Sequence, residues 1–224
     1  MALSGTTAFN LEIDDIINEA ISQIGGEVTQ GNEVTQARRS LDLLLREWQN
    51  TGFALWKTDL GTFTASTSTP YEALPTNVIN VIMAVVRQDT TDLEVSRITM
   101  DDYERLPSKT QTGRPTQFAM QLATSGPTMY YWPLADTADE YTIRYRYFGY
   151  TDDSSRSTYN ADVPTRMLPA LTAGLAYKMA LKRPGVPDNR IVLLKGIYDE
   201  VFKTALDADR DRTSFFARPS FRVF

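Results

Sequence analysis

Three groups of neighbouring carboxylates hold the side chains best suited to acid–base or cation chemistry: Asp14 with Asp15, Asp101 with Asp102 and Glu104, and Asp152 with Asp153. A pair of carboxylates can cleave a glycosidic bond, and clustered carboxylate oxygens can hold Ca2+. Their places in the chain give a simpler account. The first two groups fall where helix N-termini attract negative charge and the third falls in a polar loop, so capping and solvated roles are expected. The chain has neither histidine nor cysteine. Missing His removes the usual general base, the Ser-His-Asp arrangement and the commonest zinc ligand, and missing Cys removes disulfides, thiol catalysis and thiolate metal sites. No Gly-rich phosphate loop with its Lys is present, and Gly25-Gly26 follows a helical pattern where a dinucleotide fingerprint must follow a strand. No cofactor, no metal and no catalytic residue are expected.

The aromatic and basic residues are the next candidates. Along Tyr141-Thr-Ile-Arg-Tyr-Arg-Tyr-Phe148, alternation puts Tyr141, Ile143, Tyr145 and Tyr147 on one face and Thr142, Arg144, Arg146 and Phe148 on the other. Arg beside aromatics suggests nucleic acid, but any half-buried antiparallel strand has an apolar and a polar face, and that structural reading is preferred. Trp48, Trp56 and Trp132 are expected in core or rim packing. Residues 213–224, Thr-Ser-Phe-Phe-Ala-Arg-Pro-Ser-Phe-Arg-Val-Phe, are different. Phe215, Phe216, Phe221 and Phe224 are interspersed with Arg218 and Arg222, side chains that serve as anchors in protein interfaces. This segment is expected to dock on a partner.

The elements that must position these residues follow from periodicity. In Val163–Arg212, two helices flank Lys182-Arg183-Pro184-Gly185-Val186-Pro187-Asp188, which reads as terminal cations, two helix-breaking residues and a cap for the next helix. The first helix, Arg166 to Leu181, is apolar on most sides. The second has Ile191, Leu194, Ile197, Tyr198, Val201, Ala205 and Ala208 on its expected core stripe and Lys195, Asp199, Glu200, Lys203 and Asp207 opposite. An N-terminal pair mirrors this hairpin. Asn10 is the expected cap for a helix with Ile13, Ile16, Ile17, Ala20, Ile21 and Ile24 on one face, stopped by Gly25-Gly26, and a second helix from about Glu33 to Asn50 lines up Val34, Ala37, Leu41, Leu44, Leu45 and Trp48. Neither hairpin can bury its stripe alone, so the two are expected to pack together.

Between them, Thr-, Val- and Tyr-rich runs predict seven strands: 60–65, 71–74, 78–87, 93–98, 116–122, 128–132 and 140–148, separated by Pro- and Gly-bearing turns. One short helix, Met100–Leu106, interrupts them, with Thr99 as its cap. The expected fold is α+β, a four-helix-type bundle with an inserted β-rich domain: residues 1–55 and 163–212 form the helical domain, 56–162 the insertion and 213–224 an extended docking tail.

Composition agrees with a core-forming protein: 224 residues, 42% hydrophobic, with 28 acidic and 23 basic side chains giving a net charge of −5. That balance argues against tight, sequence-independent wrapping of a phosphate backbone, though not against loose passage of DNA. No run of eighteen apolar residues occurs and the first residues lack a signal-peptide pattern, so synthesis in a cytoplasm and no membrane partner are expected.

The order of several short motifs resembles the head-to-tail adaptor proteins of short-tailed bacteriophages, the group that includes tail tubular protein A and the P22-type packaged-DNA stabilisation protein. The motifs are a helical pair ending in Trp48-Gln-Asn-Thr-Gly52, then Ile98-Thr-Met-Asp-Asp-Tyr103, Gly113-Arg-Pro-Thr-Gln-Phe118, Met129-Tyr-Tyr-Trp-Pro133 and Tyr141-Thr-Ile-Arg-Tyr145. Pro169-Ala-Leu171, Gly174-Leu-Ala-Tyr177 and Asp209-Arg-Asp-Arg212 complete the series. The resemblance implies a structural virion protein of the neck, a ring of usually twelve copies beneath the portal, with the genome passing through it and a downstream nozzle-type tail protein assembled on it. It also implies that Phe215, Phe216, Arg218, Phe221, Arg222 and Phe224 form a portal-binding arm. Two other readings remain: a wall-degrading enzyme acting through Asp101 and Glu104, and a host-surface-binding β module using Trp132 and the tyrosines of 141–147.

Overall fold

The computed structural model describes residues 9, 11–26, 31–51, 55–152 and 160–209. They form five α-helices and seven strands in an α+β arrangement, divided between two compact units, Met1–Leu44 with Ser154–Phe224 and Leu45–Asp153.

In the first unit, α1 (Ile13–Ile24) buries all six residues of its predicted isoleucine–alanine stripe and places Asp14 and Asp15 in its first turn. The cap differs from expectation. Glu12 occupies the N-cap position with no side-chain cap bond, and Asn10 lies outside the described residues. At the other end Gly25 adopts φ 89°, a left-handed conformation that costs glycine little, while the N–H groups of Gly25 and Gly26 close on the carbonyls of Ser22 and Ile21. Helix α2 (Gly31–Asn50) contributes the buried Ala37, Leu41 and Leu44 to this unit, and its last turn belongs to the second. After a 3-10 turn at Thr165–Met167 comes α4 (Leu168–Ala180), buried on most sides as its composition predicts. It packs against α1 and against α5 (Asp188–Asp209).

Helix α4 meets α2 through a close approach at Gly174. A Cβ added there would stand 2.8 Å from Leu44 Cδ2 and 2.8 Å from the ring of Tyr198 on α5, so three helices converge where one residue has no side chain. Helix α5 departs from its predicted stripe. Leu194, Tyr198 and Ala205 are buried, but Ile197 is 41% exposed and Ala208 is also exposed. Helical geometry explains the difference: at about 100° per residue Tyr198 and Ala205 lie to one side of Leu194 and Ile197 and Ala208 to the other, so the buried stripe is narrower than the predicted one and leaves that second flank outside, as it leaves Val192 and Leu193. Asp188, expected as the cap, is instead the first residue of the helix.

The second unit is a single seven-stranded sheet in the order β1-β7-β3-β4-β5-β6-β2. Its strands are β1 (Thr58–Thr64), β2 (Tyr71–Ala73), β3 (Val78–Gln88), β4 (Thr91–Arg97), β5 (Gln117–Ala123), β6 (Gly126–Trp132) and β7 (Tyr141–Gly149), each matching a predicted run to within a few residues. Pairing is antiparallel except between β4 and β5, where helix α3 (Met100–Glu104) carries the chain over to a parallel contact of Ser96 and Arg97 with Gln117 and Phe118. The sheet curls over its own inner face. Tyr141, Ile143, Tyr145 and Tyr147 of β7 and Val81, Ala84 and Val86 of β3 join Phe118, Met129 and Tyr131 from the other half in one core.

Tyr131 ties the curl shut. Its hydroxyl accepts from the N–H of Ser66 at 2.7 Å and donates to the carbonyl of Thr69 at 2.7 Å, both in the link from β1 to β2. Gly61 of β1 faces Tyr145 across the β1–β7 ladder, and the phenol ring fills the space a Cβ would take.

Candidate partner-binding site

Two of the carboxylate groups are occupied by structural tasks. On α1, Asp14 pairs with Arg38 of α2 at 3.1 Å. At α3 the Thr99 hydroxyl accepts from the N–H of Asp102 at 3.1 Å and donates to its carboxylate at 2.7 Å, a helix cap as predicted. Glu104 binds Lys109 at 2.5 Å. Asp152 stands 4.0 Å from Lys57, and Asp153 lies outside the described residues. Among the described residues no group of three or more His, Cys, Asp or Glu side chains could hold a metal ion.

The aromatic candidates divide in the same way. Trp48 is 2% exposed, a core residue, and Trp132 is partly exposed with its indole N–H donating to the carbonyl of Ser108 at 2.8 Å. The tyrosine face of β7 points into the core, which removes Tyr141, Tyr145 and Tyr147 from any surface. On the outer face Arg144 lies 3.6 Å from Asp92, whose carboxylate already accepts two bonds of 2.7 Å from Arg87. That hydrogen-bonded pairing with Arg87 holds the Asp92 carboxyl below its usual range, and the charge of Arg144 acts in the same direction. Arg97 donates to the carbonyl of Val81 at 2.9 Å. These cations serve the sheet, and of the β7 pair Arg146 is exposed while Arg144 is half-buried. A chain of rings crosses the sheet from exposed Tyr71 to Tyr130 (5.5 Å) and on to Tyr103 (5.3 Å). Tyr103 is buried with its hydroxyl unpaired, and burial, followed by the charge of Glu104, pushes its pKa up.

Phe215, Phe216, Arg218, Phe221, Arg222 and Phe224 all lie outside the described residues. What the structure adds is a surface that sequence reasoning missed. In the helical unit a groove of about 630 Å³ opens between Phe9 and Leu11, the Asp15–Glu19 side of α1, and the first turns of α4 at Leu168, Pro169 and Thr172. Its floor is apolar and Phe9 is 58% exposed on it, while Asp15 and Glu19 stand exposed on its rim. A second apolar surface is the outer face of α5, with Val192 71% and Leu193 51% exposed beside Gly196, over which nothing lies within 4 Å. The α5 face had a readable signal in its three consecutive apolar residues, whereas the groove is made by two segments about 150 positions apart and had none.

The family model described as SU10 adaptor protein matches residues 6–220 of the chain. No curated protein matches it.

Proposed function

The chain belongs to the SU10 adaptor protein family, whose model spans residues 6–220, and from that premise we propose that it forms a ring beneath the phage portal. Membership makes it a structural phage head-to-tail adaptor of the virion neck, whose partners are portal and tail proteins. The same family implies a structural role in place of an enzymatic one.

The finer reading is ours. The ring, twelvefold as in the short-tailed-phage adaptors whose motifs the chain resembles, encloses the passage for the genome and presents a platform to the downstream tail protein. In it α1, α2, α4 and α5 act as one four-helix-type wall, residues 56–162 form the inserted β-rich domain, and 213–224 is the arm that anchors the ring to the portal. Kinship with the tail tubular protein A and P22-type group belongs to this proposal and rests on the ordered motifs. The net charge of −5 supports passage without grip, because a wall of the same sign as DNA makes few of the counterion-releasing contacts that hold a phosphate backbone. The single observation that carries the reading is the family match over nearly the whole chain.

The arm is tested by deleting residues 213–224 and measuring capture of the protein by purified portal rings. Capture is expected to fall to background. Undiminished capture overturns the anchor and leaves the family assignment in place.

A further inference from the structure

We propose that the groove between Phe9, α1 and the N-terminal end of α4 is the seat of the chain's own segment 210–224. The groove is apolar at its floor, acidic at its rim and lined by no basic side chain among the described residues. Residues 210–224 have the complementary character, with Arg210, Arg212, Arg218 and Arg222 against one acid, Asp211, together with four phenylalanines, three of them between the arginines. Phenylalanine rings take the places beside Phe9, Leu168 and Pro169, and guanidinium groups meet Asp15 and Glu19.

The connection is short enough. Helix α5 packs back along α4 and is longer, 22 residues against 13, and it reaches the 3-10 turn Thr165–Met167 that precedes α4. Its last residue, Asp209, therefore emerges at the end of the unit where Leu168 and Pro169 floor the groove. Fifteen further residues span about 50 Å when extended, ample to enter it from that side. A tether of this length gives an effective concentration near the millimolar range, so even a weak seat is filled by its own chain before a separate molecule competes. The proposal rests on the adaptor reading in one respect only, the identity of the competitor: the portal must draw the segment out of the groove, so the free protein keeps its arm covered until a higher-affinity surface is offered.

The chain has no cysteine, so introduced pairs report on a clean background. Asn18→Cys on the groove wall is combined in the full chain with Phe216→Cys or Phe221→Cys, and Lys203→Cys with the same partners is the control, on an exposed part of α5 nearer in sequence. Mild oxidation is expected to give a cross-link within one chain for at least one Asn18 pair, faster than for either Lys203 pair. Neutralising the rim with Asp15→Asn and Glu19→Gln slows it about fivefold, as the loss of two exposed ion pairs requires. As a second readout, trypsin cleavage after Arg212 becomes about fivefold faster in that rim variant. Absence of the intrachain cross-link, equal rates at groove and control sites, or cross-linked dimers, which place the segment on a second copy, each overturn the proposal. The protein is tested alone, so failure here leaves portal binding untouched, and failure of portal capture leaves this seat standing.

Discussion

Replacing Gly174 by Ala sets helix propensity against packing. Gly174 sits in the interior of α4, where Ala is favoured by about 1 kcal/mol because it loses less backbone freedom. The methyl group has no room, however. It would stand 2.8 Å from Leu44 Cδ2 and 2.8 and 3.1 Å from two carbons of Tyr198, where ordinary contact begins at 3.4 Å. Leu44 is fully buried and cannot swing into solvent. The Tyr198 ring is stacked on Tyr177 at 6.4 Å and tilted against Phe202 at 5.5 Å, so it is held on both sides. Overpacking of a well-filled core costs about 1–3 kcal/mol, and two immobile neighbours put this site in the upper half of that range. Gly174→Ala is therefore expected to destabilise the protein by about 1–2 kcal/mol net. Urea denaturation followed by far-ultraviolet circular dichroism measures it as a lower midpoint with unchanged slope. The cause is isolated by adding Leu44→Ala, which opens the space: the double variant should lose less than the sum of the two single losses. A Gly174→Ala protein as stable as the parent, or additive behaviour in the pair, refutes the account of α4 as the tightly packed centre of its unit.

Two further outcomes follow from the sheet. Tyr131→Phe removes the hydroxyl that serves the N–H of Ser66 and the carbonyl of Thr69, and stranding those part-buried groups should cost about 1–3 kcal/mol in the same urea assay; an unchanged midpoint contradicts the closure of the curled sheet by this residue. Burial raises the pKa of Tyr103, Tyr131 and Tyr145 above the ordinary value of 10.0. The folded state then binds these protons more tightly than the unfolded one, so the stability they contribute is complete below pH about 10 and is lost as pH rises through the higher folded values. Tyrosinate absorbance and circular dichroism should change together in one steep alkaline transition; smooth ionisation of all eleven tyrosines with the fold intact would be inconsistent with it.

The elements were more readable than their assembly. The isoleucine stripe of α1, the apolar α4 and the Thr99 cap of α3 each depend on neighbours within a few residues, and each stands as the periodicity predicts. The strands were readable because half-buried alternation is local: β7 shows four inward residues at every second position from Tyr141 to Tyr147. Properties set by distant partners were not legible. The parallel pairing of β4 with β5, the space that the Tyr145 ring takes over Gly61, and the exposure of Ile197 depend on what packs opposite, which a single chain pattern does not state. The expected docking residues of 213–224 lie outside the described residues, whereas the groove beside Phe9 was invisible in sequence because its walls come from two segments about 150 positions apart.

The most direct measurement of the adaptor account is the molar mass of the protein by light scattering, alone and after mixing with purified portal rings. The account predicts a defined complex in which copies of the 25.2 kDa chain add to the portal in the number that closes its ring, twelve for a twelvefold portal. A mixture that shows only the separate portal and the separate chain, with no ring in either sample, contradicts it.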